Sequence, residues 1–356
     1  MAEIIRRIPP STMWSMWKAL KGAYGATVTV PDADLRDKWV LITGSNNGIG
    51  REAAIQFAKS GANLILACRQ PPPYETLPEV VVEECKAVAK EHGEHPIVEW
   101  WECDMADLSS VEALAQRWKK TGRPLDILIN NAGITPETDQ VILTKNGFEI
   151  CHQVNFLSHT LLTLTLLPSI AKAPAPRIIC STSCMHYLGT YDLSNANAGG
   201  NAYMNNKLYF QIWLSELQLR LLQHPDYDHI AVHGVHPGFV KTGIWRPLQK
   251  TSAATRRPDL LSWVLTALLG WIGIDAQQGS LAVLSAATRS EFGLTAVGVD
   301  EFRGGARYFN RIWEDEASPY TRDVASRKEV WDFVLGELDL ENRFGISNKS
   351  RTSILE

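Results

Sequence analysis

From residue 38 onward, short apolar runs alternate with longer stretches of helical period. Runs at Lys38–Thr43, Asn63–Cys68, Ile97–Cys103, Leu125–Asn130, Arg177–Thr182 and Ile230–Val235 have strand length and hold Val, Ile and Leu. A short seventh run lies near Ala306–Phe309. Between them, Arg51–Ser60, Ser109–Lys119, Gly147–Leu167 and Met204–Leu222 read as helices. Strand and helix in alternation predict an α/β fold: a doubly wound, mostly parallel seven-stranded sheet with helices on both faces. The connections have crossover length and are expected to be right-handed.

Outside this region the pattern changes. Ser11–Tyr24 predicts a short amphipathic helix with Trp14, Trp17, Leu20 and Tyr24 on one side, packed on the domain or resting on a membrane. No apolar signal segment precedes it, because Pro9 and Pro10 follow Arg6 and Arg7. Leu260–Ile274 is an almost wholly apolar run of 15 residues, too short to be read as a membrane span. Three readings stand for it: a buried helix beside a substrate pocket, a membrane-surface or substrate-entry helix, or a dimer contact. Residues 311–356 mix charge with Trp313 and Trp331 and read as a surface helix and a tail. The expected organisation is an N-terminal extension (1–35), one domain (36–310) with a substrate lid around 245–275, and a C-terminal extension (311–356).

Composition narrows the class. The chain has 356 residues, 45% of them apolar, and a net charge of −4, which gives no reason to expect nucleic acid or an anionic membrane as partner. Six cysteines without CxxC spacing predict buried thiols in a reducing, cytoplasmic compartment, with no metal site and no disulfide framework.

The first apolar run leads into TGSNNGIG, Thr43–Gly50, and then into a helix. Strand, glycine-rich turn and helix N-terminus together form a cradle for a dinucleotide pyrophosphate. Gly44 permits the tight turn, Gly48 close approach of the phosphates, and Gly50 close packing of helix on strand; Ser45, Asn46, Asn47 and Ile49 complete the loop. At the end of the second strand, where NAD-binding domains carry an acidic residue, the sequence reads Ala67-Cys68-Arg69. A guanidinium in place of a carboxylate favours a 2′-phosphate, hence NADP(H). The proline-rich insertion after Arg69, PPPYETLPE, reads as a stiff loop rimming the adenosine site. Asp104 follows the third strand and Asn130-Asn131-Ala132-Gly133 the fourth, at the strand ends where such sheets bind ligands.

Tyr203 and Lys207 are four residues apart on a helix and share a face, and Ser183 lies just past the fifth strand. An ammonium beside a phenol favours the phenolate, which would suit Tyr203 to acid–base work near neutral pH. Ser183 could then hold the reacting oxygen.

Taken together, TGSNNGIG, Asp104, NNAG, Asn155, Ser183, YMNNK and HPGFVKT resemble the short-chain dehydrogenase/reductase family over roughly residues 36–310. LACR, CDMADLSSVEAL, GFEICHQVNFLSHTLL and EVWDF resemble its retinol-dehydrogenase-like branch, whose wording fungal specialised-metabolite reductases share. The resemblance implies a Rossmann-type fold, with Tyr203 as general acid/base, Lys207 as partner of the nicotinamide ribose, and Ser183 as partner of the substrate oxygen. Asn155 would support a proton-relay water near the lysine. Asp104 and Met105 would flank the adenine, and Asn131, Ala132 and Gly133 would line the ribose. Pro237, Gly238, Val240 and Thr242 would close over the nicotinamide carboxamide and pyrophosphate. The chain departs from the family pattern in its insertion after Arg69, in the 19 residues between Ser183 and Tyr203, and in its long C-terminal part. The implied activity is NADP(H)-dependent interconversion of a carbonyl and a secondary alcohol on a lipophilic substrate. Reduction of a specialised-metabolite ketone is the favoured sense. A retinol- or steroid-type dehydrogenase, a catalytically silent NADP(H)-binding regulator and a membrane-associated lipid-handling protein are the alternatives.

Overall fold

The computed structural model describes residues 12–22, 26–135, 140–197, 202–240, 273–294, 302 and 304–343, without the side chain of Glu341. Eight strands form one sheet: β1 (Trp39–Thr43), β2 (Asn63–Cys68), β3 (Val98–Glu102), β4 (Ile127–Asn130), β5 (Arg177–Ser181), β6 (Ala231–His236), β7 (Arg307–Asn310) and β8 (Trp313–Asp315). Their order is β3-β2-β1-β4-β5-β6-β7-β8, parallel throughout except for β8. The order reverses between β1 and β4, so a crevice opens at the carboxyl ends of these two strands.

The helices are α1 (Thr12–Gly22), α2 (Gly48–Lys59), α3 (Pro78–Glu91), α4 (Leu108–Thr121), α5 (Ile150–His152), α6 (Ser158–Ile170), α7 (Ala202–Gln223), α8 (Ala276–Thr288), α9 (Val324–Glu337) and α10 (Leu340–Arg343). Alternation along the strands divides the core. Leu41, Ile65 and Leu128 face α4, α6, α7 and α9, whereas Val40, Ile42, Leu64 and Leu66 face α2, α3 and α8. The central strands β1, β2, β4 and β5 are buried on both sides because both faces are covered.

Three features depart from the sequence reading. First, β8 makes the sheet eight-stranded. Arg311 takes a left-handed backbone (φ 62°) and turns the chain so that Phe309 pairs with Glu314. Trp-Glu-Asp has no apolar alternation, so nothing in the sequence marked it as a strand. Second, the boundary at 310 falls inside this hairpin, and the C-terminal part belongs to the core. Val330, Trp331 and Val334 of α9 are buried against α7, with Trp331 stacked on Trp213 at 5.8 Å. Third, α1 is a helix, but its faces are divided differently. Ser15, Lys18, Ala19 and Gly22 point inward, Lys18 pairs with Asp315 at 2.6 Å, and Trp14 meets the Tyr187 ring edge-on. Met13, Met16, Trp17 and Leu20 stay exposed. Among the described residues, no helix is long and apolar enough to cross a membrane. Most of the Leu260–Ile274 run, with Trp245, Trp263 and Trp271, lies outside the described residues, as do Thr242 and Tyr24.

Candidate active site

The glycine turn and the segment after β4 are locked together. Gly44 has φ 64°, and a Cβ there would stand 2.8 Å from Ala132 Cα. A Cβ on Gly50 would fall 2.2 Å from Gly44 O and 2.5 Å from Asn131 Nδ2, so only glycine fits. The Thr43 hydroxyl accepts from the backbone N–H groups of Asn131 and Ala132 (2.9 and 3.0 Å), and Asn131 Nδ2 donates to Thr43 O at 3.0 Å. The small residues of NNAG therefore let β4 approach the glycine turn itself. Ser45 is fully buried beneath the turn.

Helix α2 begins at Gly48, and its N-cap Asn47 makes no side-chain cap; Asn47 Oδ1 accepts instead from Thr76 Oγ1 at 3.2 Å. The first-turn N–H groups of α2 are thus not capped by that side chain, which fits a phosphate at this helix end. Ile49 and Val240 lie against a common neighbour, since a Cβ on Gly279 would be 3.4 Å from Ile49 Cγ1 and 2.6 Å from Val240 Cγ2. Pro237–Val240 follows β6, with Gly238 at φ 95° and Val240 bridged to Ile274. The structure therefore brings this segment to the glycine turn. At the end of β3, Asp104 Oδ1 accepts from Ala106 N (2.8 Å), and the Met105 carbonyl accepts from Ser158 Oγ (2.6 Å).

Arg69 stands at the end of β2, about half exposed, and donates to Glu75 Oε1 at 3.0 Å. The insertion therefore supplies a carboxylate to the guanidinium expected to read a 2′-phosphate.

The second cluster sits beyond β5. Ser183 caps a 3-10 turn, Cys184–Leu188, with Oγ accepting from Met185 N at 3.2 Å, and it hydrogen-bonds the Tyr203 phenol. Lys207 Nζ lies 5.7 Å from the centre of the Tyr203 ring and donates to Ser181 O at 2.6 Å. Asn155 sits in a π-helical segment, Gln153–Leu157, between α5 and α6. Its side chain pairs the Ile134 peptide in both directions, at 2.8 Å each. A Cβ on Gly133 would be 3.3 Å from Asn155 Oδ1 and 3.8 Å from Lys207 Nζ, so these two residues flank Gly133. Asn155 is a positioning residue in this arrangement, and the π segment is the local device that turns it toward β4.

The electrostatics differ from the sequence expectation. Burial pushes the Tyr203 phenol up to about 12, and the bond with Ser183 only partly offsets this. Burial also lowers the Lys207 ammonium to about 8. Desolvation, and not the ammonium, thus sets the direction of the Tyr203 shift.

Three further residues support the site, of which His186 lies near Ser183 in sequence without being read as catalytic. His186 Nε2 accepts from Ser318 N (3.1 Å), so its Nδ1 carries the proton and donates to Ser183 O (2.6 Å). It fixes Ser183 from behind. His152 bridges Asn206 Oδ1, next to Lys207, and Glu337 Oε2, at 2.7 Å each, and so ties α7 to the C-terminal helix. Arg311 is buried beside Gly238, and its Nε and Nη1 find no partner among the described residues. Only tertiary contacts reveal these three. Tyr191, near the site in sequence, turns away to Glu329 at 2.9 Å. All six cysteines are free and buried, and no cluster able to hold a metal exists among the described residues.

Retinol dehydrogenase 13 of Mus musculus is 29% identical over 319 residues, covering 87% of this chain and 85% of that protein. Polyprenol dehydrogenase of Mus musculus is 29% identical over 326 residues, covering 88% and 87%. Among solved structures, an uncharacterised protein from Mycobacterium paratuberculosis superposes with a TM-score of 0.61 at 24% identity, over 88% of this chain and 98% of that one; this likeness concerns the fold. The profile of the short chain dehydrogenase family matches residues 38–253, more than half of the chain. With the sheet order and the two residue clusters at its carboxyl edge, that match makes this chain a member of the short-chain dehydrogenase family of oxidoreductases.

Proposed function

We propose that the protein is an NADP(H)-dependent oxidoreductase that interconverts a carbonyl and an alcohol on a lipophilic substrate, working in the reducing sense. The observation that carries this reading is the Ser183–Tyr203–Lys207 cluster, with Lys207 Nζ 5.7 Å from the centre of the Tyr203 ring. In this reading Tyr203 Oη gives its proton to the substrate oxygen while Ser183 Oγ holds that oxygen in place. Lys207, anchored on Ser181 O, keeps a positive charge under the phenol as proton density leaves it. A bound nicotinamide supplies the hydride to the substrate carbon. The glycine turn, the N-terminus of α2, Asn131–Gly133 and Pro237–Val240 would hold the cofactor, with Arg69 at its 2′-phosphate.

The names of the relatives, retinol and polyprenol dehydrogenases, support a long apolar alcohol or its carbonyl as substrate class. A specialised-metabolite ketone, favoured by the sequence wording, falls within that lipophilic class. Titration with NADPH and NADH, followed by tryptophan fluorescence, tests the cofactor reading. Tight NADPH and weak NADH binding is the expected result. Arg69→Ala should weaken NADPH at least tenfold and NADH less than twofold, the loss expected for a charge-assisted phosphate contact. Equal weakening of both would remove Arg69 from the 2′ position.

The outward stripe of α1 favours peripheral membrane contact as part of the same reading. Met13, Met16, Trp17 and Leu20 recur at i, i+3, i+4 and i+7, with Lys21 beside them. In liposome flotation the intact chain should float, and the Met16→Glu/Trp17→Glu variant should stay at the bottom. Equal flotation of both would exclude α1 as the contact.

A further inference from the structure

The insertion between β2 and α3 is fastened to the glycine turn. Pro71, Pro72, Pro73 and Pro78 restrict its backbone, since each ring fixes φ near −65°. Asn46 Nδ2 donates to Thr76 O at 3.3 Å, and Thr76 Oγ1 donates to Asn47 Oδ1 at 3.2 Å. Between these anchors Glu75 spans two elements. Its Oε2 accepts from Asn46 Nδ2 at 3.2 Å, and its Oε1 accepts from Arg69 Nη2 at 3.0 Å. A carboxylate thus bridges the glycine turn to the end of β2, the two elements between which a dinucleotide-binding sheet receives the adenosine ribose.

We propose that Glu75 sets how strongly this protein distinguishes NADP(H) from NAD(H), by competing with the 2′-phosphate for Arg69. The inference rests on the proposed cofactor reading and goes beyond it, because Glu75 lies in an insertion and not at the strand-end position that usually decides the matter. Charge gives the direction. A phosphate monoester carries about −1.5 to −2 at pH 7, so a fixed carboxylate beside it repels it and also occupies its guanidinium. A ribose 2′-hydroxyl is neutral and can donate to the same carboxylate. The Arg69–Glu75 pair is partly exposed, so Arg69 can exchange its carboxylate partner for a phosphate. The carboxylate itself stays close by, because Thr76 and Asn46 hold the loop. The protein thus carries an opposing pair, with Arg69 favouring the phosphate and Glu75 tempering that preference.

The test is a titration of the full-length wild type and of Glu75→Gln with NADPH and with NADH, followed by fluorescence. Glu75→Gln keeps the shape and one accepting oxygen but removes the charge and the second of the two acceptors. NADPH should bind about tenfold more tightly and NADH within about twofold of wild type, so the ratio of the two constants moves by nearly tenfold. Thr76→Val, which loosens the loop without changing charge, should move both cofactors together. An unchanged ratio in Glu75→Gln, with wild type binding NADPH normally, would overturn the role of Glu75 and leave the cofactor reading intact. A ratio shifted as far by Thr76→Val would overturn it as well, since loop position and not the carboxylate would then set the preference. Wild type binding neither cofactor would overturn the cofactor reading and this inference together.

Discussion

Tyr203→Phe should lower turnover of a lipophilic carbonyl by roughly 10²- to 10⁴-fold while leaving affinity for the nicotinamide cofactor within about threefold. The magnitude is that of a general acid removed from a proton transfer. Phenylalanine keeps the ring that lies over Lys207 Nζ and loses only the hydroxyl that Ser183 contacts. In the proposed reading the cofactor is held mainly by other groups, on the glycine turn, Asn131–Gly133 and Pro237–Val240. Single-turnover rates with saturating NADPH would separate the two effects. A variant turning over at near the wild-type rate would show that another group moves the proton. A variant that also loses the cofactor would place Tyr203 in binding and not in proton transfer.

The second large effect is acid destabilisation through four buried histidines. Burial lowers His159, His186 and His233 to about 3 and His236 to about 4, against 6.5 for the free side chain. Burial holds each ring neutral, and the bonds to backbone carbonyls only partly oppose it. His186 accepts from Ser318 N, whereas His233 and His236 reach the carbonyls of Phe292 (2.8 Å) and Gly22 (3.0 Å). His159 Nε2 lies 3.1 Å from Thr43 Oγ1. These groups bind protons more weakly in the folded chain than in the unfolded one. Their contribution is complete above about pH 6.5 and is lost as pH falls toward 3 to 4. Each histidine contributes a slope of up to about 1.4 kcal/mol per pH unit in that window. Ordinary carboxylates titrate mostly below pH 5, so the upper part of the window reports on histidine. The urea midpoint should be flat from pH 8 to 7 and fall steeply from 6 to 5, and His233→Gln should make the fall shallower. A midpoint unchanged down to pH 5 would contradict the buried neutral state.

Period alone made β2 legible, residue for residue, at Asn63–Cys68. The other predicted strands lie within a residue or two of their runs. The placement of Gly44, Gly50, Tyr203 and Lys207 was legible because close backbone approach and shared helix faces are local properties. By itself, then, the sequence determined the parallel α/β sheet, the glycine turn after β1 and the helix that presents Tyr203 and Lys207.

What it could not determine depends on which distant groups meet. That burial, and not the Lys207 charge, governs the Tyr203 phenol depends on β5, α7 and the segment after Ser183 together. Arg69 reads in sequence as an open phosphate ligand, and only the fold shows Glu75 brought back onto it. The last strand is three residues long and carries two acids, so its identity comes from pairing with β7 and not from its own pattern. Helix α9 belongs to the core because Trp331 stacks on Trp213, far away in the chain, a contact that loop closure permits but no local periodicity encodes. Local propensity and period act over a few residues and can be read along the chain. Desolvation, ion pairing and packing between distant segments exist only once the chain has folded, and they decide how this site is charged.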